Sequence, residues 1–130
     1  RPRLTEEMIT GNDARIFPKM EGRYVFRHAV TRLPEVIQEA LAANDLAMAD
    51  ISLLVPHQAN LRINMAVASS LEIPEERVFN NIQRYGNTTA GSIPIALCEA
   101  WEADRIASGD LVCLAGFGAG FTWGAVLIRW

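Results

Sequence analysis

Short apolar runs that alternate with segments of helical period constrain the fold of this chain more than any other feature. The apolar runs cover residues 51–56, 111–115 and 121–130, and each has the length of a strand. Segments with apolar residues at every third or fourth position precede and separate the first two runs, as amphipathic helices would. Helices that alternate with buried strands pack as layers, so the sequence predicts a layered α/β domain whose last two strands form an antiparallel hairpin.

Three segments are predicted to be helices. Apolar positions repeat with helical spacing over residues 24–43, and Pro34 inside this pattern predicts a kink or a split into two helices. A second helix is predicted over residues 60–71. A third is predicted to begin at Ser92, with the serine hydroxyl as its cap and Pro94 in its first turn.

Two further segments rest on weaker patterns. Residues 1–20 combine Gly, Asn, Asp and Pro with little periodicity, and we interpret them as a loop or linker from something upstream. Residues 21–130 then form one domain, since a chain of 130 residues is large enough for a single core. Residues 78–82 are a possible short strand.

Composition excludes several classes of function. A net charge of −3 argues against a nucleic-acid partner. No apolar stretch reaches the roughly 20 residues that cross a bilayer, and the first residues lack the pattern of a secretory signal. Cys98 and Cys113 lie in apolar surroundings without metal-binding spacing. We therefore expect a cytoplasmic protein with reduced, buried thiols, no metal, and no membrane or nucleic-acid partner.

Polar or glycine-rich loops adjoin the predicted strands. HQAN occupies residues 57–60, YGNTTAGS occupies 85–92 and GFGAG occupies 116–120. In layered α/β folds ligand sites gather at loops beyond strand ends, so three such loops can converge on one site. Taken singly, each loop has an ordinary structural explanation. GFGAG, for example, lacks the third glycine of a dinucleotide-binding fingerprint, because Phe121 stands there.

Taken together, the three loops resemble a known family. VPHQANLRI at 55–63, YGNTTAGSIPIAL at 85–97 and AGFGAGFTWGAVLIRW at 115–130 are similar to the C-terminal half of β-ketoacyl-acyl carrier protein synthase III. This is the initiating condensing enzyme of type II fatty acid synthesis. MEGRYVFRHAV at 20–30 extends the resemblance to nearly the whole chain. The resemblance implies one half of a thiolase fold, with helices packed on a mixed five-stranded sheet.

The resemblance also implies a reaction. In the family a cysteine takes an acyl group from acyl-CoA, malonyl-acyl carrier protein loses CO₂, and the resulting carbanion attacks the acyl-enzyme. His57 and Asn87 match the residues that donate hydrogen bonds to the thioester enolate oxygen, where negative charge develops. For His57 to donate, its substrate-facing nitrogen must carry the proton of a neutral ring, and we expect a backbone donor to hold the other nitrogen.

The glycine-rich turn matches a second set of family positions. A backbone N–H at Ala119, where the family commonly has glycine, would bind the acyl-enzyme carbonyl as an oxyanion hole. Gly118 belongs to the same turn, and Phe117 matches the phenylalanine that keeps the nucleophile's pocket dry.

Substrate contacts are also implied. Gly22 and Phe26 match positions along the pantetheine channel, and Asn60 matches a residue that hydrogen-bonds that arm. Arg27 and Arg62 match basic positions that meet the acidic carrier protein or the CoA phosphates. Acyl-CoA and malonyl-acyl carrier protein are the implied substrates, and the resemblance implies no cofactor.

The chain also departs from the family. In the family the nucleophilic cysteine belongs to an N-terminal half, and neither Cys98 nor Cys113 of this chain matches it. We therefore expect the chain to be inactive for condensation without a missing half that bears this cysteine, in an enzyme that is a homodimer when complete. The alternatives are a non-catalytic module or subunit that binds CoA or carrier protein, a purely structural domain, and a condensing enzyme of a polyketide or quinolone pathway.

Overall fold

A three-stranded mixed sheet lies at the centre of the fold. The structure is a computed structural model that describes residues 4–11, 17 and 19–130. In this part of the chain β1 (Ile51–Pro56) pairs in parallel with β2 (Leu111–Gly118), which pairs antiparallel with β3 (Thr122–Arg129). The predicted strands and the C-terminal hairpin are therefore confirmed. The prediction of five strands is wrong for the described residues, which form three.

The segment 78–82 does not form the predicted strand. Val78 makes only an isolated parallel bridge to Leu54, and Ile82–Tyr85 is a short helix. The side-chain oxygen of Gln58 accepts hydrogen bonds from the backbone at residues 81 and 82. Backbone donors that a neighbouring strand would need are thus taken by a side chain, so the segment leaves the sheet.

Five α-helices occur in the described ranges. Three of them correspond to the predicted helices, and two are short. The same ranges also contain three 3₁₀ turns, Met48–Asp50, Glu75–Arg77 and Thr89–Gly91. The α-helices are α1 (Glu6–Thr10), α2 (Gly22–Ala42), α3 (Leu61–Ser70), α4 (Ile82–Tyr85) and α5 (Ser92–Glu102).

The predicted N-terminal loop contains the short helix α1. Thr5 caps it, because its side-chain oxygen accepts the N–H of Met8 at 3.3 Å. Two glutamates in its first turn suit the positive end of the helix dipole. The rest of this prediction falls partly on residues 1–3, 12–16 and 18, which lie outside the described residues.

Helix α2 shows why these residues form a long helix. Its buried side chains recur every four residues, which places them on one face. Pro34 lies inside the helix without splitting it, although its missing N–H removes one hydrogen bond from the helical ladder. Of the two predicted effects of Pro34, the split into two helices is therefore wrong, and the kink stays a prediction. The buried face consists of Ala29, Leu33, Ile37 and Leu41.

The sheet has a helical layer on each face. α2 and α3 pack on one face, where Ile37 and Val67 share a buried cluster with Leu54. α5 packs on the other face, where Ala96 joins Val55. β1 is covered on both faces, and apart from the half-buried Ser52 all its residues are apolar and buried, as is usual for buried parallel strands. The parallel pairing places the carboxyl ends of β1 and β2 at the same edge of the sheet. No helix in the described ranges combines the length and the apolar character needed to span a membrane.

Candidate active site

His57 stands directly beyond the carboxyl end of β1. Its backbone N–H donates to the carbonyl of Ala115 at 2.7 Å, so the parallel pairing with β2 continues one residue past the strand. The imidazole is therefore held beside the end of β2, where Gly116 and Phe117 lie. A Cβ atom at Gly116 would come within 3.9 Å of the His57 Cβ, so the two backbones are close neighbours.

The inner nitrogen of the imidazole contacts a serine hydroxyl. Nδ1 of His57 lies 2.5 Å from Oγ of Ser92, and the backbone N–H of Gln58 donates to the same Oγ at 3.2 Å. Ser92 is the first residue of α5, and Gly91 occupies the cap position without a side-chain cap. The prediction that Ser92 caps the helix is therefore wrong. The predicted backbone donor to His57 is replaced here by a side-chain hydroxyl.

Burial acts on the charge of His57. The ring is partly enclosed, and desolvation lowers the pKa of His57 below its ordinary value of 6.5. At neutral pH the imidazole is therefore uncharged. A neutral ring carries one proton and can donate from one nitrogen while the other accepts.

Gln58 connects the His57 loop to the segment that leads to Asn87. Its side chain is buried, with 1% of its surface exposed. Four hydrogen bonds use all the donors and acceptors of its amide. The Nε2 group donates to the carbonyls of Pro56 at 2.8 Å and Phe79 at 3.1 Å, and Oε1 accepts the backbone N–H groups of Asn81 at 3.0 Å and Ile82 at 3.3 Å.

Asn87 sits in the loop between α4 and α5 with its amide oriented. Its Oδ1 accepts the backbone N–H of Thr89 at 2.9 Å, so the Nδ2 group takes no part in that bond. Thr89 has a φ of 53°, a left-handed conformation that is uncommon for a β-branched residue. The local backbone is thus strained at the position that holds Asn87.

Glu99 of α5 anchors the helix that precedes this loop. One of its carboxylate oxygens accepts from the Tyr85 hydroxyl and lies 3.1 Å from the Arg84 guanidinium, and the other accepts from Asn81 at 2.8 Å. The Tyr85 hydrogen bond, reinforced by that of Asn81, holds the pKa of Glu99 below its ordinary value. The short helix α4 is therefore fixed to α5, and the Asn87 loop connects these two helices.

An open cavity of about 940 Å³ lies where the three loops meet. Five of the ten predicted site residues line it, from all three loops: His57, Asn87, Phe117, Gly118 and Ala119. Sequence reasoning missed the aromatic wall. The ring of Phe121 lies 4.9 Å from Phe117 and 5.6 Å from Tyr24, between ring centroids. Two donor side chains thus face a mainly apolar space, which suits a reaction that needs little water.

The comparisons with known proteins decide the family. A family profile described as "3-Oxoacyl-[acyl-carrier-protein (ACP)] synthase III C terminal" matches residues 41–130. The chain belongs to this family. The resemblance seen in the three loops is therefore confirmed.

Individual relatives agree with this assignment. The β-ketoacyl-[acyl-carrier-protein] synthase III of Rhodospirillum centenum is 54% identical over 112 residues, which cover 86% of this chain and 35% of that protein. The crystal structure of 3-oxoacyl-[acyl-carrier-protein] synthase III from Aquifex aeolicus VF5 superposes with a TM-score of 0.87 and 47% identity, covering 91% of this chain and 38% of that one. The Pseudomonas aeruginosa PAO1 structure gives a TM-score of 0.90 at 40% identity, covering 99% and 40%.

These matches establish the fold class and show how much of each relative the chain spans. The thiolase-like α/β architecture expected of a synthase III is confirmed by the two superpositions. The chain spans between 35% and 40% of the length of these relatives.

Both cysteines differ from a reactive nucleophile. Burial raises the pKa of Cys113 to about 12, because this thiol lies in the middle of β2 opposite Leu54 and Leu127. The carboxylate of Glu102 raises the pKa of Cys98. Neither thiol lines the cavity. Cys98 is exposed, so the prediction that both thiols are buried is wrong for this residue.

The other five predicted site residues lie outside the cavity lining. Gly22 begins α2, and Arg27 is exposed on the same helix. Asn60 caps α3, because its Oδ1 accepts the backbone N–H of Arg62 at 2.9 Å. The Arg62 guanidinium lies 5.8 Å from the ring centroid of Phe26. Their contacts with substrate remain predictions, and the structure gives Asn60 a helix-capping role.

Proposed function

We propose that this chain forms the enolate-binding half of a 3-oxoacyl-acyl carrier protein synthase III. The reaction is the decarboxylative condensation of malonyl-acyl carrier protein with an acyl-CoA starter in fatty acid biosynthesis. The observation that carries the proposal is the meeting of His57 and Asn87 on one apolar cavity. Each of these side chains has one polar atom already engaged by the protein, through Ser92 and Thr89 respectively.

The proposed chemistry places negative charge beside these two side chains. Loss of CO₂ breaks a carbon–carbon bond of the malonyl group and leaves its electron pair as a thioester enolate. Neutral His57 and the amide of Asn87 donate hydrogen bonds to the enolate oxygen, and such preorganised donors act most strongly where water is scarce. The enolate carbon then attacks the thioester carbonyl of the acyl-enzyme, and the cysteine thiolate departs.

The acyl-enzyme carbonyl needs its own donor. The backbone N–H of Ala119 serves as the oxyanion-hole donor in this proposal, and Gly118 and Phe117 shape the turn that presents it. Ala119 lies on the cavity, and its φ is not in the left-handed region, so alanine is accommodated there without strain. Phe117 packs against Phe121 and shields the reacting centre from water.

The nucleophile and the partners come from outside this cavity. Because neither cysteine lines it, the proposed nucleophile belongs to the N-terminal half of the enzyme. Gly22, Phe26 and Asn60 contact the pantetheine arm in this proposal, and Arg27 and Arg62 meet the carrier protein or the CoA phosphates. The complete enzyme is proposed to be a cytoplasmic homodimer that uses its two substrates without a further cofactor or metal, and without a membrane or nucleic-acid partner.

Decarboxylation of malonyl-acyl carrier protein by the complete enzyme tests the proposal. His57→Ala and Asn87→Ala should each lower the rate of CO₂ release about 10²- to 10³-fold, the usual cost of one oxyanion donor. Asn44→Ala is the matched control, because this exposed asparagine only caps the end of α2 through the carbonyl of Ala40. Decarboxylation at the wild-type rate in both site variants would refute the assigned roles.

A non-catalytic binding module is the second candidate, favoured by the cavity that lacks a thiol. Isothermal titration of the 130-residue chain with CoA and with carrier protein measures this activity directly. Binding by a chain whose complete form contains no cysteine at the cavity would support the module. Condensation by the complete form would exclude it, and condensation with polyketide starters alone would assign the chain to that pathway instead.

A further inference from the structure

The hydroxyl of Ser92 lies behind His57, on the side of the ring away from the cavity. Ser92 has 2% of its surface exposed, and it does not line the cavity that His57 borders. It belongs to the first turn of α5, which follows the Asn87 loop along the chain. The buried Ser92 hydroxyl therefore links α5, the helix that follows the Asn87 loop, to the ring of His57.

The direction of the hydrogen bond follows from its neighbours. A backbone N–H can only donate, so the 3.2 Å contact from Gln58 makes the Ser92 oxygen an acceptor. The hydroxyl hydrogen then remains for a second partner, and Nδ1 of His57 lies 2.5 Å away. Nδ1 accepts this hydrogen only if it carries no proton of its own.

We propose that Ser92 is a positioning residue that keeps the neutral His57 ring in the tautomer with its proton on Nε2. The site of the proton is a property of these three residues alone. The hydrogen bond from Nε2 of His57 to an enolate oxygen rests on the function proposed above.

The opposite tautomer would be unfavourable for two reasons. With the proton on Nδ1, both Nδ1 and the Gln58 amide would donate to the Ser92 oxygen, and the hydroxyl hydrogen would need another acceptor. Nε2 would then present a lone pair to the substrate, and a lone pair repels an enolate oxygen. The Ser92 hydroxyl thus decides whether His57 donates or repels.

Variants at position 92 separate the hydroxyl from its volume. Ser92→Thr and Ser92→Val add nearly the same bulk, and only Thr keeps a hydroxyl. Ser92→Ala removes the hydroxyl without adding bulk. The first measurement is the tautomer of His57 in the complete enzyme labelled with ¹⁵N-histidine, from long-range ¹H–¹⁵N correlations at pH 8, with the His57→Gln variant identifying the signal. The second is the rate of malonyl-acyl carrier protein decarboxylation.

We expect an unprotonated Nδ1 and a protonated Nε2 in the wild type and in Ser92→Thr. In Ser92→Ala and Ser92→Val the Nδ1 signal should move toward the mixed-tautomer position. Their kcat should fall about tenfold, the scale of one lost hydrogen bond, with KM changed less than twofold.

Two results would overturn the proposal. One is a proton on Nδ1 in the wild type, and the other is equal kcat for the Thr and Val variants when both are folded. If the wild-type enzyme does not decarboxylate malonyl-acyl carrier protein at all, the proposed function fails, while the tautomer measurement still decides the place of the proton.

Discussion

The side-chain oxygen of Gln58 lies 3.0 Å from the backbone nitrogen of Asn81, which joins the His57 loop to the segment before Asn87. One buried amide thus joins the loop that begins at His57 to the segment that leads to Asn87, although the two proposed donors are 30 positions apart in the sequence. A side chain that bonds to two loops fixes their spacing more firmly than either loop could by itself.

Replacing Gln58 with Glu should strongly destabilise the protein. The carboxylate has nearly the same shape, but it cannot donate to the carbonyls of Pro56 and Phe79, and it buries a charge. We expect a loss of about 3 kcal/mol or more in the free energy of unfolding, measured by urea denaturation at pH 7.5. The matched control is Gln83→Glu on the exposed face of α4, which should change stability by less than about 0.5 kcal/mol. Equal effects of the two substitutions would contradict the bridging role.

The lowered pKa of His57 predicts a pH-dependent stability. The unfolded chain holds a proton on this ring below the ordinary pKa of 6.5, whereas the folded chain resists protonation until a lower pH. The contribution of the neutral ring is therefore fully present above pH 6.5 and is lost as the pH falls through the folded pKa. His57→Asn should flatten the curve of unfolding free energy against pH in this window, and His28→Asn is the matched histidine control. An unchanged curve in His57→Asn would show that burial does not act on this ring.

Local sequence patterns were sufficient for the main elements. β1 was predicted from its β-branched, apolar residues, and it ends at Pro56 as expected. The helix α3 was predicted to begin near Asn60, and this residue caps it. These features depend on residues that are neighbours in the chain, so the sequence displays them directly.

Contacts between distant residues were not predictable in the same way. Ser92 has the pattern of a helix cap, but its hydroxyl contacts an imidazole 35 positions earlier. Residues 78–82 have a strand-like composition, but the Gln58 side chain accepts the backbone N–H groups of Asn81 and Ile82. Both errors have one cause, because a polar side chain of the loop after β1, His57 or Gln58, competes with the local hydrogen bond.

The strained backbone at Thr89 predicts that a glycine there will stabilise the fold. Its φ of 53° costs a β-branched residue about 1–2 kcal/mol, and glycine adopts this conformation freely. After the greater chain entropy of glycine is subtracted, Thr89→Gly should raise the free energy of unfolding by up to about 1 kcal/mol. Thr88→Gly is the control, because Thr88 has a φ of −90° and should lose stability on the same change. Chemical denaturation of both variants measures the difference, and a loss of stability at both positions would argue against strain.

The two cysteines should differ in accessibility and in tolerance to substitution. Cys113 is fully buried with its pKa raised to about 12, so it should react with iodoacetamide only after unfolding. Cys98 is exposed, but its raised pKa keeps it protonated at neutral pH, so it should react slowly in the folded protein. Cys113→Ser should cost about 1–3 kcal/mol of unfolding free energy by burying a hydroxyl, and Cys98→Ser less than about 0.5. Mass spectrometry of the folded protein during iodoacetamide treatment measures the two modification rates. Modification of Cys113 as fast as that of Cys98 would contradict this arrangement.

Removing the exposed guanidinium of Arg62 should weaken recognition of the carrier protein, a prediction that rests on the proposed function. Arg62 lies at the start of α3 and over the ring of Phe26, on the side of the fold where α2 and α3 meet. Arg62→Ala in the complete enzyme should raise KM for malonyl-acyl carrier protein about fivefold, the scale of one exposed ion pair, and added salt should shrink the difference.

Arg77→Ala is the control, because Arg77 is exposed near the amino end of β1, away from the carboxyl end where His57 lies. Malonyl-pantetheine carries neither the protein nor the phosphates, so its kcat/KM should be unchanged. A rise in KM for that substrate as well would place Arg62 in the cavity's own architecture rather than in docking.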